Sequence, residues 1–251
     1  MDRPLEGKVV LVSGGGVRLG RAIAEGLGAS GAAVAVHCHA SRQGAEEAAA
    51  VIRADGNRAG VFPADLRKEE EIEALVARVE AELGPIAVLV NSAALFLRAD
   101  FLTTSTRVLD EQWQVNARGP YLLTQAVARR MSARGGGDVV NVLDVGGALQ
   151  AWRHYTAYGM TKAALASLTH SLALELAPAV RVNAVAPGTV LPPEGLPPEV
   201  LAALKERIPQ RRFGTPEDVV AAVRFLVCGP RFVTGQILAV DGGRSIHGGN
   251  G

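Results

Sequence analysis

Two side chains near the middle of the chain are spaced for acid–base chemistry. Tyr158 and Lys162 are four residues apart, so in a helix both side chains leave the same face, one turn apart. A positive charge beside a phenol stabilises the phenolate, and we therefore expect the pKa of Tyr158 to be lowered. A tyrosine tuned in this way can donate a proton at neutral pH and take it back in the reverse reaction. An isolated pair of this kind is also typical of an ordinary solvated helix, so the rest of the chain decides its meaning.

An acidic residue, Asp144, follows the apolar run 139–143, where a strand is expected to open into a loop. An ionised carboxylate repels the alkoxide that forms when a carbonyl group is reduced. The same carboxylate suits a substrate with N–H groups, or an imine that must be protonated during reduction. Asp144 therefore favours reduction of a C=N bond over a C=O bond. The alternative is that Asp144 only caps the loop, with Val145-Gly146 or another residue taking the place of a catalytic hydroxyl.

The composition indicates a folded protein with a small-molecule substrate. The chain has 251 residues, 48% hydrophobic and 20% charged, with a net charge of +1. Such a balance suggests no nucleic-acid partner and no anionic membrane partner. We see no apolar run long enough to span a membrane and no signal peptide. Two cysteines, Cys38 and Cys228, fit a reducing compartment, and we expect a cytoplasmic protein.

Short apolar runs alternate with longer periodic segments along the whole chain. The predicted strands are 9–13, 33–37, 60–63, 86–91, 138–143, 180–186 and 237–240. The predicted helices lie near 19–29, 43–54, 68–83, 109–133, 155–176 and 215–227. Continuous apolar strands between helices predict an α/β fold, a doubly wound Rossmann-type parallel sheet of about seven strands with helices on both faces. No linker divides the chain, so we expect one dinucleotide-binding and catalytic domain over residues 1–251. The proline-rich segment 187–198 should be a loop and a lid beyond a strand end.

The turn after the first predicted strand reads S-G-G-G-V-R-L-G and is a candidate dinucleotide site. Glycine permits a tight turn and lets the backbone approach a pyrophosphate, which the next helix N-terminus attracts. The spacing departs from the usual G-x-G-x-x-G pattern. Gly14 and Gly20 remain, and Arg18 stands near the phosphates. A purely structural glycine turn is the alternative.

The end of the second strand carries donors where a site for NAD usually carries an acid. His37, His39, Ser41 and Arg42 stand there, and Arg18 can join them. Such donors suit a 2′-phosphate, so the sequence predicts NADPH as the cofactor. His37 and His39 could instead form a metal pair or a solvated pair. No clustered cysteine or acid completes a metal shell, and we predict no metal site.

Three further positions could serve the cofactor or the catalytic group. Asp65, in A-D-L after the third strand, can bind near the adenine, or it can simply cap a helix. The small residues of N-S-A-A, 91–94, can let a cofactor pass closely at the end of the fourth strand. Asn116 can bridge the backbone and Lys162, or it can be an exposed polar residue of its helix.

Together these motifs resemble the short-chain dehydrogenase/reductases from end to end. The resemblance rests on S-G-G-G-V-R-L-G, A-D-L, N-S-A-A, V-N-A, Y-G-M-T-K, R-V-N-A-V-A-P-G and V-T-G-Q-I-L-A-V-D-G-G. It implies catalytic roles for Asn116, Tyr158 and Lys162, with Lys162 also binding the nicotinamide ribose. It also implies a homotetramer formed through the two long helices. The cofactor contacts that it implies are Gly14, Arg18, Leu19, Gly20, Asp65, Leu66, Asn91, Ala93, Pro187 and Gly188.

Within this family the chain is most similar to the pteridine reductases. Arg18-Leu19-Gly20, the H-x-H-x-S segment at 37–41 and the run A-L-E-L-A-P at 173–178 are shared. Asp144 matches their aspartate, which replaces the serine of most relatives. Phe96 and Tyr155 match aromatic residues next to the pterin. There are departures: Ala94 replaces a pterin-contacting serine, Ala40 replaces a basic residue, and one extra residue separates Asp144 from Tyr158.

The resemblance implies a pteridine reductase that uses NADPH to transfer a hydride to a C=N bond of a dihydropterin or pterin. Phe96, Asp144, Tyr155 and Tyr158 are its expected substrate contacts, and Asp144, Tyr158 and Lys162 its proton relay. A carbonyl reductase, such as a 3-oxoacyl-carrier-protein reductase, is one alternative. A non-catalytic nucleotide-sensing or scaffold protein is the other, although such a protein needs no proton relay.

Overall fold

A single parallel sheet forms the centre of the molecule. The computed structural model describes residues 3–192 and 195–247. Seven strands follow the order β3-β2-β1-β4-β5-β6-β7, which confirms the predicted doubly wound sheet. The strands are β1 (Val9–Ser13), β2 (Ala33–Cys38), β3 (Ala59–Pro63), β4 (Ile86–Asn91), β5 (Gly137–Val142), β6 (Val180–Pro187) and β7 (Ile237–Val240).

Helices cover both faces of the sheet. The helices are α1 (Arg18–Ala29), α2 (Arg42–Ala54), α3 (Glu69–Leu83), α4 (Thr106–Trp113), α5 (Gly119–Ala133), α6 (Val145–Ala148), α7 (Thr156–Glu175), α8 (Pro198–Glu206) and α9 (Pro216–Cys228). Helices α1, α2 and α9 pack on one face, and α3, α5 and α7 on the other. None of the helices in the described ranges is long and apolar enough to cross a membrane.

The apolar runs of the strands explain why both faces are covered. Successive residues of a strand point to opposite faces. Val10 and Val12 of β1 therefore pack with α1 and α9, whereas Val9 and Leu11 pack with α3 and α5. A strand that is apolar at every position can be buried only between two layers of helices.

The predicted long helix 109–133 is wrong in one respect, because it is interrupted. Helix α4 ends at Trp113, and residues Gln114–Arg118 form one π-helical turn before α5 begins. Pro120 lies in the first turn of α5, where the missing backbone N–H costs least. A π turn widens the helix locally and often marks a functional position. Here it contains Asn116.

Two further elements were not predicted. Helix α8 starts at Pro198, is only nine residues long and buries none of its residues. The turn α6 is helical only in part, because the φ and ψ angles of Gly146 and Gly147 are not helical. Residues 188–192 and 195–197 of the predicted loop have no regular structure, and Pro193 and Glu194 lie outside the described residues.

The order of the strands brings the candidate residues to one edge. All strands run parallel, but the direction in which successive strands are added reverses between β1 and β4, so a crevice opens at the carboxyl ends of these neighbouring strands. The glycine turn follows β1, residues 92–96 follow β4, and Asp144 lies just past β5. The candidate site is therefore assembled from segments far apart in sequence.

Candidate active site

Tyr158 and Asp144 are joined by a hydrogen bond at this edge. The Tyr158 hydroxyl donates to Asp144 Oδ2 over 3.1 Å. The other carboxylate oxygen, Asp144 Oδ1, accepts from the backbone N–H of Gly146 over 2.8 Å. Tyr158 and Lys162 are buried on α7, and the Lys162 ammonium donates to the carbonyl oxygen of Val142 over 2.8 Å. Phenol, carboxylate and ammonium therefore form one buried acid–base group.

The segment between Asp144 and Tyr158 begins with the glycine turn of α6. Gly147 has a φ of +92°, which glycine adopts without strain. A Cβ at Gly147 would lie 2.4 Å from the Cα of Gly159, and a Cβ at Gly146 would lie 2.5 Å from Trp152. The turn consequently packs directly against the start of α7, and Asp144 remains within hydrogen-bonding distance of Tyr158.

The pKa of Tyr158 is raised, which is opposite to the prediction. Burial penalises the phenolate most, and the neighbouring Asp144 carboxylate raises the pKa further. The Lys162 ammonium lies 5.6 Å from the centroid of the Tyr158 ring and is bonded to a backbone carbonyl. Its charge therefore does not offset the burial of the phenol. The prediction failed because the spacing in sequence shows the lysine but neither the burial nor the carboxylate.

Burial also shifts the pKa values of the other two members of the group. It lowers the pKa of Lys162 to about 8, although the charge of Asp144 acts in the opposite direction. It raises the pKa of Asp144, although the Gly146 N–H, the Lys162 charge and the Tyr158 hydroxyl oppose the change. A carboxyl group with a raised pKa is a better proton carrier near neutral pH. Tyr158 and Asp144 share a hydrogen bond, so the protonation of each affects the other.

Asn116 lies in the π turn and connects three segments around Tyr158. Its Oδ1 accepts from the Leu95 N–H over 2.7 Å, and its Nδ2 donates to the Leu95 carbonyl over 2.8 Å and to Thr161 Oγ1 over 3.2 Å. The Thr161 hydroxyl in turn donates to the Tyr158 carbonyl over 2.7 Å. The expected bridge to Lys162 is not among these bonds. In this structure Asn116 fixes the chain after β4 to α7.

Four aromatic side chains form a surface beside the acid–base group, which we call the aromatic wall: Phe96, Trp152, Tyr155 and Tyr158. Phe96 stacks on Tyr155, with ring centroids 4.6 Å apart and planes 6° apart. Its edge meets Tyr158, with centroids 4.7 Å apart and planes 77° apart. The Phe96 side chain remains 48% exposed, so it is not a core residue. A flat ring can stack on such a surface next to Asp144.

The glycine turn is held by close backbone packing and by a buried histidine. A Cβ at Gly20 would lie 2.2 Å from the Gly14 carbonyl oxygen, and one at Gly14 would lie 2.8 Å from the Cα of Ala93. The Gly14 N–H donates to His37 Nδ1 over 3.1 Å, which leaves the proton on Nε2, 3.0 Å from the Ala64 carbonyl oxygen. Burial lowers the pKa of His37 to about 4. Contrary to the prediction, His37 supports the turn and does not face a phosphate.

The donors at the end of β2 are otherwise accessible. His39 and Arg42 have exposed side chains, and Ser41 precedes the first residue of α2. The nearby acid, Asp65, is paired with Arg67, which holds the pKa of Asp65 at about 2. Arg67 pairs with this carboxylate, while the exposed guanidinium of Arg42 lies 4.0 Å from Glu46. These residues leave exposed donors where an NAD(P) cofactor would pass.

Other predicted cofactor contacts lie around the same crevice. Arg18 donates to the Leu191 carbonyl oxygen over 2.7 Å, so it bridges the glycine turn and the segment after β6. The Asn91 side chain points away into a buried network with Thr124 and Asn141, so only its backbone faces the crevice. The remaining predicted contacts reach this edge through backbone or apolar atoms: Leu19, Leu66, Ala93, Pro187 and Gly188.

Sequence reasoning missed Trp152 and Arg244. The guanidinium carbon of Arg244 lies 5.1 Å from the centroid of the Trp152 ring. Neither residue belongs to a motif, and they are brought together from distant parts of the chain. Within the described ranges, no group of three or more metal-ligating side chains converges.

Several known proteins are similar to this chain over nearly its whole length. Residues 16–245 match a family described as Enoyl-(Acyl carrier protein) reductase. An uncharacterized oxidoreductase of Mycobacterium tuberculosis is 38% identical over 95% of this chain and 92% of its own length. A 2-dehydro-3-deoxy-D-gluconate 5-dehydrogenase of Formosa agariphila is 30% identical over 95% of this chain and 93% of its own.

A solved structure has nearly the same fold. The gluconate 5-dehydrogenase of Burkholderia cenocepacia, in complex with NADP and tartrate, superposes with a TM-score of 0.91. The two chains are 30% identical, and the match covers 98% of each. These relatives are named as oxidoreductases and dehydrogenases, and none of the three is named as a pteridine reductase.

Proposed function

Because the chain belongs to the short-chain dehydrogenase/reductase family of NAD(P)-dependent oxidoreductases, we propose that it is an NADPH-dependent pteridine reductase. The reaction is the reduction of a C=N bond in a dihydropterin or a similar flat heterocycle. The observation that carries this proposal is the hydrogen bond between Tyr158 and Asp144 beside the aromatic wall.

The carboxylate of Asp144 distinguishes a substrate with a reducible C=N bond from one with a reducible C=O bond. An incipient alkoxide needs hydrogen-bond donors, and transition-state donors of this kind contribute about 3–4 kcal/mol each. A carboxylate offers only acceptors when ionised and one donor when protonated. When ionised, such a group can accept hydrogen bonds from the N–H groups of a pterin, and when protonated it can donate its proton to the ring nitrogen and become the carboxylate. Asp144 therefore supports C=N reduction better than C=O reduction.

Each part of the site has a defined task in this reaction. The aromatic wall orients the heterocycle, and Asn116 fixes the chain that carries Phe96. The Tyr158–Asp144 pair delivers a proton to the nitrogen, while a bound nicotinamide supplies the hydride to the carbon. The buried Lys162 provides a positive charge that restrains Asp144 from protonating too readily. Lys162 is also the proposed ligand of the nicotinamide ribose.

We predict that kcat/KM with NADPH exceeds that with NADH by at least about tenfold, which corresponds to roughly 1.4 kcal/mol. The reason is the exposed Arg42 at the end of β2, together with His39, Ser41 and Arg18, and the absence of an unpaired acid there. Steady-state kinetics with both cofactors measures this ratio. Arg42→Ala should reduce the efficiency with NADPH and leave that with NADH almost unchanged. Equal efficiency with the two cofactors in the wild type would contradict the prediction.

A dehydrogenase of hydroxylated substrates is the second candidate. It is favoured by the names of two relatives, both of which are dehydrogenases of sugar acids. Such enzymes oxidise an alcohol to a carbonyl group. Asp144 gives no advantage in that reaction. The substrate alone separates the two candidates, because both use the same cofactor chemistry.

The direct test measures NADPH oxidation in parallel with a dihydropterin, a dihydrofolate, a cyclic imine, a 3-oxoacyl thioester and a keto sugar acid. We expect kcat/KM to be highest with the dihydropterin and at least about tenfold lower with both carbonyl compounds. The same panel in the oxidative direction, with NADP and gluconate, completes the comparison. A carbonyl compound that ranks first would replace the pteridine proposal with the second candidate.

We further propose a homotetramer formed through the two long helices, as the family resemblance implies. A groove between α5 and α7 supports this, because small and apolar side chains such as Ala128, Ala164 and Leu168 line it together with charged ones such as Arg129 and Glu175. The cytoplasm remains the proposed compartment, on the basis of the cysteine content.

A further inference from the structure

Arg244 stands next to the candidate site on a fixed turn. It follows β7, and its carbonyl oxygen accepts from Gln150 Nε2 over 2.9 Å. The Asp241 carboxylate accepts from the N–H groups of Gly243 over 2.9 Å and of Ser245 over 2.6 Å. The backbone of this turn is therefore determined by Asp241 and Gln150, and it does not require the arginine side chain.

The guanidinium of Arg244 extends from this turn to the aromatic wall. Its central carbon lies 5.1 Å from the centroid of the Trp152 ring, a cation–π distance. One nitrogen, Nη1, donates to the hydroxyl of Thr189, which lies just past β6. The guanidinium thus lies between the aromatic wall and the segment after β6, close enough to Asp144 for their charges to interact.

The charge of this guanidinium is poorly compensated within the chain. Burial lowers the pKa of Arg244 most, and the positive charge of Arg207 lowers it further. Asp144 and Asp241 act in the opposite direction, but in the part of the chain that the structure describes Arg244 forms no salt bridge. Asp144 is already bonded to Tyr158 and Gly146, and Asp241 to its own turn. A partly buried arginine with several unused N–H donors favours an anionic partner.

We infer that Arg244 binds a carboxylate group of the substrate, attached at or next to the carbon of the reducible C=N bond. The planar guanidinium matches a carboxylate in size and in the spacing of its donors. The position beside Trp152 and Asp144 places this carboxylate near the reacting bond and not at the end of a long tail. The inference rests on the proposed function in one respect, that a flat substrate lies against the aromatic wall.

A phosphate of the cofactor is the other anion that can reach this edge of the sheet. Thr189 lies directly after Pro187 and Gly188, which are proposed cofactor contacts, so this possibility must be separated in the test. The proposed site of the 2′-phosphate is at the end of β2, on the opposite side of β1 from β6. Arg244 is instead next to the proton-donating pair, which favours the substrate as the source of the anion.

The first experiment measures binding and needs no turnover. Dissociation constants of quinoline-2-carboxylate and of the neutral quinoline-2-carboxamide are determined by calorimetry with the NADP-bound protein. We expect the carboxylate to bind at least about tenfold more tightly than the amide in the wild type. Arg244→Gln should abolish this difference, and Arg244→Lys should keep part of it. Arg224→Gln, at an exposed arginine of α9, is the matched control and should change neither constant.

Three outcomes would overturn the inference. They are equal binding of the two probes to the wild type, an unchanged preference in Arg244→Gln, and a loss of NADP affinity in Arg244→Gln that accounts for the whole effect. Thermal melting of each variant shows whether it is folded, and Arg244→Lys retains a testable charge if Arg244→Gln does not fold.

A second experiment separates this inference from the proposed function. Reduction of 6-carboxy-7,8-dihydropterin is compared with that of its 6-carboxamide, in the wild type and in Arg244→Gln. A preference for the 6-carboxy compound in the wild type that disappears in Arg244→Gln supports both the carboxylate site and the pteridine reductase. Turnover of both pterins without a preference overturns the carboxylate site and leaves the pteridine reductase. No turnover of either pterin, together with an arginine-dependent preference in the binding experiment, overturns the pteridine proposal and leaves the carboxylate site.

Discussion

Replacing Tyr158 with phenylalanine should lower the turnover number for a dihydropterin by about 10²-fold or more, because a positioned proton donor is lost. The substitution keeps the aromatic ring and its edge contact with Phe96, so the aromatic wall should remain intact. NADPH affinity should survive, since the hydroxyl donates to Asp144 and not to the glycine turn. Single-turnover kinetics and fluorescence titration with NADPH measure the two effects separately.

Tyr121→Phe provides the control for this experiment. Tyr121 is an exposed tyrosine of α5, away from Asp144, and losing its hydroxyl should leave turnover unchanged. In Tyr158→Phe, the Asp144 carboxylate loses a hydrogen-bond donor, so the pKa of Asp144 should rise further. Nearly normal turnover in Tyr158→Phe would show that Asp144 alone supplies the proton.

Replacing Asp144 should change which bond is reduced. Asp144→Ser introduces a neutral donor suited to an alkoxide and removes the carboxylate that binds N–H groups. Pterin reduction should drop by at least about tenfold, whereas reduction of an activated ketone should stay level or increase. The ratio of the two rates is the measured quantity, because it cancels any general loss of folded protein.

A second substitution at this position separates chemistry from structure. Asp144→Asn keeps an oxygen that can accept the Gly146 N–H, so the turn should remain capped. It removes the negative charge and the proton-carrying capacity, and it places an NH₂ donor where Asp144 Oδ2 accepts from the Tyr158 hydroxyl. If Asp144→Asn and Asp144→Ser both leave the pterin-to-ketone ratio of the wild type, Asp144 acts only as a cap and the proposed function loses its main support.

The sheet was predictable from the sequence because parallel strands that are buried on both faces have continuous apolar sequences. All seven predicted strands are present, with ends that differ by no more than one residue. Tyr158 and Lys162 were predictable as neighbours because helical spacing alone brings them to one face. The break in the helix at Asn116 was not predictable, since a π turn is stabilised by tertiary bonds to Leu95 and Thr161.

The electrostatics of the site were the least predictable part. The direction of the Tyr158 pKa shift depends on burial, which no local pattern reports. The role of His37 depends on two backbone partners, Gly14 and Ala64, the second of which is 27 residues away. Arg244 lies 55 residues from Thr189 in sequence, and no motif links them. Such contacts form only when the folded sheet brings the loops together, so no local sequence pattern indicates them.

The backbone contact between Gly147 and Gly159 has a consequence for how this enzyme can diversify. Two stretches of main chain touch beside the Asp144–Tyr158 pair, and Gly147, at this contact, tolerates no added carbon atom. The side chain at 144 itself takes no part in that contact. Asp144 Oδ1 does cap the turn by accepting the Gly146 N–H, so a single substitution keeps the loop when the new side chain can also cap it, as a serine hydroxyl can. Within that restriction a lineage can change its chemical selectivity while it keeps the main-chain contact.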